Sequence, residues 1–173
     1  LSESQTEAVL DLPPEQIAKD NEIRVRNIKS AYDLAIASAT NPDWVLDVSF
    51  MQAVHAEISR DLVHADNKPG LIRDNPRNRI TYVGNAEHGG RYKPPQYRGD
   101  IIKLLQGLVE WHISLVHANI PALIRAPLVH FYFECIHPFW DGNGRTGRVI
   151  EATLLRQAGY RYAPFALSRY YLE

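Results

Sequence analysis

The chain has 173 residues, 45% of them hydrophobic and 23% charged, with a formal net charge of −1. That length and balance suit one globular domain with a single sizeable core, and the near-neutral charge excludes a dedicated nucleic-acid binder, which would carry a plain basic excess. No apolar run approaches the roughly 18 residues needed to cross a bilayer, and no basic-then-apolar segment opens the chain, so neither a membrane span nor a secretory signal is expected. The lone cysteine, Cys135, cannot form an internal disulfide and points to a reducing, cytoplasmic compartment; in its apolar run it reads as a small buried hydrophobe. The chain opens at Leu1 rather than Met and stops at Glu173 in what reads as the start of a helix. Residues 1–173 are therefore expected to form one domain of a longer or trimmed protein.

Helical periodicity dominates. Ile17, Val25, Ile28, Tyr32 and Ile36 recur at three- and four-residue steps or their sums, which predicts an amphipathic helix over about 14–39, ended by Asn41-Pro42-Asp43. Phe50, Val54, Ile58 and Leu62 mark a second helix. Ile101, Leu104, Leu105, Leu108, Trp111 and Leu115 mark a long third one. Residues 67–99, between them, are rich in Gly, Pro, Asn and Arg and lack helical spacing. Within them Arg79-Ile-Thr-Tyr-Val83, the turn residues Gly84-Asn85 and Gly89-Gly90, and Arg91-Tyr-Lys-Pro-Pro95 predict a β-hairpin. Pro121 suits a helix N1 position, and residues 123–136 continue as an almost wholly apolar segment, expected to be the buried centre of the fold; Pro127 should bend it or mark its start. A last helix should run from Asn143 to about Gln157 and stop at Gly159. The expected fold is mainly α, with one hairpin.

The chemistry concentrates in His137-Pro-Phe-Trp-Asp-Gly-Asn-Gly-Arg-Thr-Gly-Arg148. His137 falls at the C-terminal mouth of the apolar helix, and its ordinary pKa near 6.5 suits a general base. Phe139 reads as an anchor turned into the core. Asp141-Gly-Asn-Gly144 turns the chain sharply, and a new helix begins at once. Its first turn offers unpaired N–H groups and the positive end of the dipole. Arg145 and Arg148, three residues apart, share one face beside it, an arrangement suited to a di- or triphosphate. Asp141 adds a carboxylate able to hold Mg²⁺ against phosphate oxygens. Singly, a histidine at a helix end, a Gly-Asn-Gly turn and two helical arginines each have an ordinary structural reading. Their combination within twelve residues argues for a site.

These residues resemble the signature of the Fic family, H-P-F-x-[DE]-G-N-G-R-x-x-R, with every specified position filled. Further resemblance lies in Arg26-Asn27, in residues 50–55, in Gly70-Leu-Ile-Arg73 before the flap, in Tyr92-Lys-Pro-Pro95 at its end, in Leu108-Val-Glu-Trp111, and in Leu167-Ser-Arg-Tyr-Tyr171. The resemblance implies a Fic-type helical bundle with one β-hairpin flap beside the active site. It also implies a protein adenylyltransferase using ATP and Mg²⁺ to modify a Ser, Thr or Tyr hydroxyl of a target protein, with pyrophosphate released. In that scheme His137 is the base and Asp141 the Mg²⁺ ligand. The nucleotide site comprises Asp141, Gly142, Asn143, Gly144, Arg145, Thr146, Gly147 and Arg148. Asn143 orients the α-phosphate, Arg145 holds the β side and Arg148 the γ-phosphate. Thr81, Tyr82, Val83 and Gly84 of the flap are expected to dock the target by strand addition or to touch the nucleotide.

The family also includes members with an inhibitory helix, [ST]-x-x-x-E-[GN], whose glutamate pairs with the second motif arginine. Here residues 1–12 hold the matching segment, Glu3-Ser-Gln-Thr-Glu-Ala8, with Glu7 as the inhibitory residue opposite Arg148; Glu3 and Ala8 depart from the pattern. Other readings kept open are transfer of UMP, phosphate or phosphocholine, deAMPylation, and a non-catalytic nucleotide-binding module. A homo-oligomer is compatible with all of them.

Overall fold

The computed structural model describes residues 3–13, 16–84, 87 and 89–162, in which six helices carry the architecture. They are α1 (Glu3–Leu10), α2 (Asp20–Thr40), α3 (Val48–Ser59), α4 (Arg98–His117), α5 (Ala122–Ile136) and α6 (Asn143–Gln157). The resemblance over residues 167–171 lies outside the described residues.

Local chemistry explains most of the boundaries. The helix expected from about residue 14 begins instead at Asp20, where the Glu22 carboxylate accepts the Lys19 N–H at 3.2 Å and closes a capping box. It ends where expected, with the Asn41 N–H bonded to the Ser38 carbonyl at 3.1 Å. Asp47 caps α3 by accepting the Phe50 N–H at 2.6 Å. Pro121 stands at the N-cap of α5, one position before the expected N1, and Pro127 lies inside a helix that continues past it. α6 starts at Asn143, and Gly159 follows its end at φ +92°.

The centre of the fold is α6, not α5. α6 packs against α5, α2 and α3, and its residues 149–155 are all buried. α5 buries only one stripe, through Ala126, Val129, Phe133 and Ile136, while Leu123, Ile124, Phe131 and Tyr132 are exposed. Hydropathy favours α5 because it is apolar all round. Burial follows instead from having neighbours on every side, and α6 reaches that place carrying polar groups that are partnered. The Thr153 hydroxyl donates to the Val149 carbonyl at 2.7 Å, and Glu151 Oε2 lies 2.6 Å from His130 Nδ1 of α5. Gly147 makes the close approach of α5 and α6 possible: a Cβ there would fall 2.4 Å from the His130 ring.

The expected hairpin condenses, among the described residues, to a single antiparallel bridge. Val83 and Tyr92 exchange N–H···O bonds of 2.9 and 2.8 Å. Further pairing is replaced by a side chain. The Gln96 amide accepts the Thr81 N–H at 2.8 Å and donates to the Thr81 carbonyl at 3.3 Å, doing for Thr81 what a facing strand would do. The neighbouring Pro94 and Pro95 have no N–H to offer a ladder.

Candidate active site

His137 terminates α5. Pro138 follows it, and the backbone turns left-handed at His137 (φ +50°, ψ +61°) while its N–H still bonds to the Phe133 carbonyl at 2.9 Å. A non-glycine residue in that region carries strain that its surroundings must hold in place. Arg73 holds it. This fully buried side chain donates from Nε to the His137 carbonyl at 2.6 Å and from Nη1 to Asn75 Oδ1 at 3.1 Å. Its Nη2 donates to the Ile136 carbonyl at 3.4 Å and to the Pro95 carbonyl, and the Arg73 main-chain N–H bonds to the Pro138 carbonyl at 2.9 Å. One guanidinium thus ties the base of the flap to the turn at His137.

The loop from Pro138 to Gly142 is locked by two further side chains. Phe139 is fully buried, as an anchor should be, and stacks on His55 with centroids 3.7 Å apart and planes at 6°. His55 Nδ1 accepts the Gly70 N–H at 3.0 Å, so the ring proton sits on Nε2, which donates to the Asp141 carbonyl at 3.0 Å. Asn143 clasps Phe139 twice, accepting its N–H and donating to its carbonyl, both at 2.9 Å. That amide is spent on the loop, so its side chain shapes the backbone before α6. Gly142 (φ +76°) makes the turn, and the His55 ring lies 3.5 Å from where its Cβ would stand.

The start of α6 has no side-chain cap. The first N–H bonded inside the helix is that of Thr146, to the Gly142 carbonyl at 2.9 Å, and the Thr146 hydroxyl donates to the same oxygen at 2.9 Å. The N–H groups of Asn143, Gly144 and Arg145 therefore point out of the helix start, the arrangement that attracts anions. Arg145 folds back over the loop, its Nη2 3.1 Å from Asp141 Oδ2, while its buried Nη1 has no hydrogen-bond partner among the described residues. Arg148, half-buried, lines a cavity of about 420 Å³ on the α5 side with Glu134, His130 and Gly144. Burial lowers the Arg145 pKa, and the Arg148 charge contributes to this.

Asp141 is exposed, its side chain 57% accessible. No cluster of three or more His, Cys, Asp or Glu suited to a metal occurs among the described residues. A single open carboxylate fits only a metal shared with ligand phosphates, as is usual for Mg²⁺. On the flap, Thr81 and Val83 are engaged with Gln96 and Tyr92, whereas Tyr82 between them is exposed and presents the outer edge. Gly84 is also exposed. Glu7 lies exposed on α1. Cys135 is half-buried and burial raises its thiol pKa, which agrees with an inert side chain.

Burial pushes the His137 pKa down to about 4, the Arg73 charge adds to this, and the Glu134 carbonyl and Asp141 oppose it. The imidazole is therefore neutral at physiological pH, the state that accepts a proton. His55 and His112 are likewise pushed down to about 4, chiefly by burial. Unfolded imidazoles take up protons below about 6.5, and these three refuse them until about 4, so the unfolded chain binds more protons in between. Stability should fall as pH drops through that window and level off below it. Glu134, whose pKa burial raises, works in the opposite direction but is one group against three. Melting temperatures followed from about pH 7.5 to about pH 4.5 check this; a flat curve would show that the histidines are not held neutral.

Glu134 is absent from the motifs that carry the resemblance, and Arg73 and His55, which lie within them, have no role assigned by the linear chain. Glu134 had a signal, since it precedes His137 by three residues on a helix. Arg73 and His55 lie 64 and 82 residues before His137, and only folding brings them to the loop.

These features define a helical domain in which a buried histidine at one helix end is joined by a short, locked loop to the uncapped start of the next helix, which carries two arginines. The Fic/DOC family model matches residues 45–155, and the chain belongs to that family. Protein adenylyltransferase Fic of Drosophila erecta is 44% identical over 81 residues, covering 44% of this chain and 15% of that protein. Protein adenylyltransferase fic-1 of Caenorhabditis elegans is 28% identical over 170 residues, 92% of this chain and 30% of that protein. The chain thus spans under a third of these relatives' length. A Fic domain containing signaling protein from Bacteroides thetaiotaomicron shares the fold, with TM-score 0.75 and 21% identity over 92% of this chain and 57% of that one. So does Fic-1 of Caenorhabditis elegans, with TM-score 0.74 and 21% identity over 99% of this chain and 49% of that one. No helix among the described residues is long and apolar enough to cross a membrane.

Proposed function

We propose that this chain transfers AMP from ATP to a hydroxyl of a target protein. The observation that carries the reading is the juxtaposition of neutral His137 with the uncapped start of α6, across a loop locked by His55, Asn143 and Arg73. The names of the relatives, protein adenylyltransferases, support it.

In this scheme the triphosphate lies along the α6 start, with the N–H groups of residues 143–145 toward the α- and β-phosphates, Arg145 on the β side and Arg148 toward the γ-phosphate. Asp141 would be the residue to hold Mg²⁺, which would supply neutralisation of phosphate charge. The target hydroxyl gives its proton to His137 as its oxygen bonds to the α-phosphorus; the bond from that phosphorus to the β-bridging oxygen breaks and pyrophosphate leaves. Positioning and charge stabilisation carry most of the rate in such chemistry. Tyr82 on the free edge of the flap aligns the target main chain.

The test is incubation with ATP labelled at either the α- or the γ-phosphate, in a lysate supplying targets. Label reaching protein from the α position only is the expected result. Label from γ only would make the chain a kinase, and label from neither would leave a nucleotide-binding module.

A further inference from the structure

Glu134 stands one turn before His137 on α5, with Oε2 3.9 Å from His137 Nδ1. Glu134 Oε1 and His137 Nδ1 are both buried and, among the described residues, meet no hydrogen-bond partner of normal geometry, although the Glu134 main-chain carbonyl lies close enough to raise the His137 pKa. Buried polar atoms seldom stay unmet, and here an acceptor and a potential donor lie side by side, a small side-chain rotation from bonding. Gly147 keeps the carboxylate in place: a Cβ on that residue would stand only 3.0 Å from Glu134 Oε1, so the packed surface of α6 sits directly behind it.

The charges around the pair assign it a direction. His137 is faced by Arg73 from the segment before the flap, by Asp141 from the loop and by the Glu134 main-chain carbonyl from its own helix, with the Glu134 carboxylate 3.9 Å from Nδ1. Arg73 disfavours a charged imidazole. Asp141 is exposed and engaged by Arg145, so its counter-charge is weakened by solvent. Glu134 is faced by His130 of α5 and Arg148 of α6, which favour its ionised form against burial. It is the buried carboxylate within reach of Nδ1.

We propose that Glu134 is the positioning residue for His137: its carboxylate receives the Nδ1–H, leaves the Nε2 lone pair facing the reacting hydroxyl, and offsets the positive charge when Nε2 takes the proton. The last step rests on the AMP-transfer reading; the tautomer and the carboxylate contact do not.

The experiment is a ¹⁵N NMR titration of the imidazoles in the wild type, Glu134→Gln and Glu134→Ala, run beside steady-state label transfer. Wild type should show His137 protonated on Nδ1. In both variants its pKa should fall by about half a unit or more, because a favourable negative charge is gone. Transfer should lose about tenfold or more in kcat. Glu134→Asp, which keeps the charge, should recover most of the pKa and part of kcat. An unchanged His137 tautomer and pKa in both neutral variants would overturn the proposal, even if wild-type transfer is confirmed. The expected NMR shifts without any wild-type transfer would sustain the positioning role and remove the AMP-transfer reading instead.

Discussion

Replacing His137 with asparagine should reduce α-phosphate transfer by roughly 10²–10⁴-fold, the usual worth of a general base, while leaving the fold and ATP binding nearly intact. Asparagine is chosen because the residue sits at φ +50°, a left-handed position that asparagine tolerates well. The Arg73 Nε bond goes to the His137 main-chain carbonyl and survives the change. The Asn143, Thr146 and His55 bonds that shape the anion site do not involve the imidazole. What disappears is the group held neutral and ready to accept a proton. Initial rates with α-labelled ATP, beside a nucleotide-binding isotherm and a thermal melt, check the prediction. A variant that still transfers label within about threefold of wild type would remove His137 from the role of base.

Arg73→Ala should be as damaging by a different route, costing on the order of 3–5 kcal/mol of stability and lowering transfer with it. The guanidinium meets the carbonyls of His137, Ile136 and Pro95 and the Asn75 side chain, in a place with no exposed surface. Truncation leaves those acceptors short of donors, at about 1–3 kcal/mol each where water cannot enter, and opens a cavity the size of the side chain. Burial lowers the Arg73 pKa only to about 10, so the charge persists at neutral pH and the pinning works throughout the physiological range. For a domain of this size each kcal/mol is worth about 2–4 °C of melting temperature, so a fall of about 6–20 °C is expected. Arg73→Lys should rescue little, because an ammonium cannot fork to acceptors spread over three chain segments. A melting temperature within about 3 °C of wild type for the alanine variant would show that the turn at His137 holds without its clamp.

Both predictions concern a loop whose place between two helices was legible in the linear chain. The His137 to Arg148 motif, the helix start at Asn143 and the stop before Gly159 could be read because each depends on local backbone preference: proline after a helix end, glycines in a sharp turn, a glycine past the last turn. The helix positions follow for the same reason, since a three-to-four-residue apolar spacing has one regular structure that buries it.

The failures share a physical cause as well. The hairpin over 79–96 was read from β-type residues and turn glycines, yet pairing beyond Val83 and Tyr92 is taken over by the Gln96 side chain, and no propensity scale anticipates a side chain standing in for a strand. α5 was read as the centre because hydropathy measures composition. α6 holds the centre because Glu151 and Thr153 find partners there and Gly147 lets α5 come close, facts of packing between segments. The locks on the active loop are of the same kind. His55 and Arg73 act on atoms 86 and 64 residues away, through contacts that only the closed fold creates. The sequence by itself therefore determined the helices and the place of the loop from His137 to Arg148 between two of them. The tertiary structure decided which helix is buried, what holds His137 in its left-handed turn, and which carboxylate stands beside it, because those depend on groups that are distant along the chain and meet only when it packs.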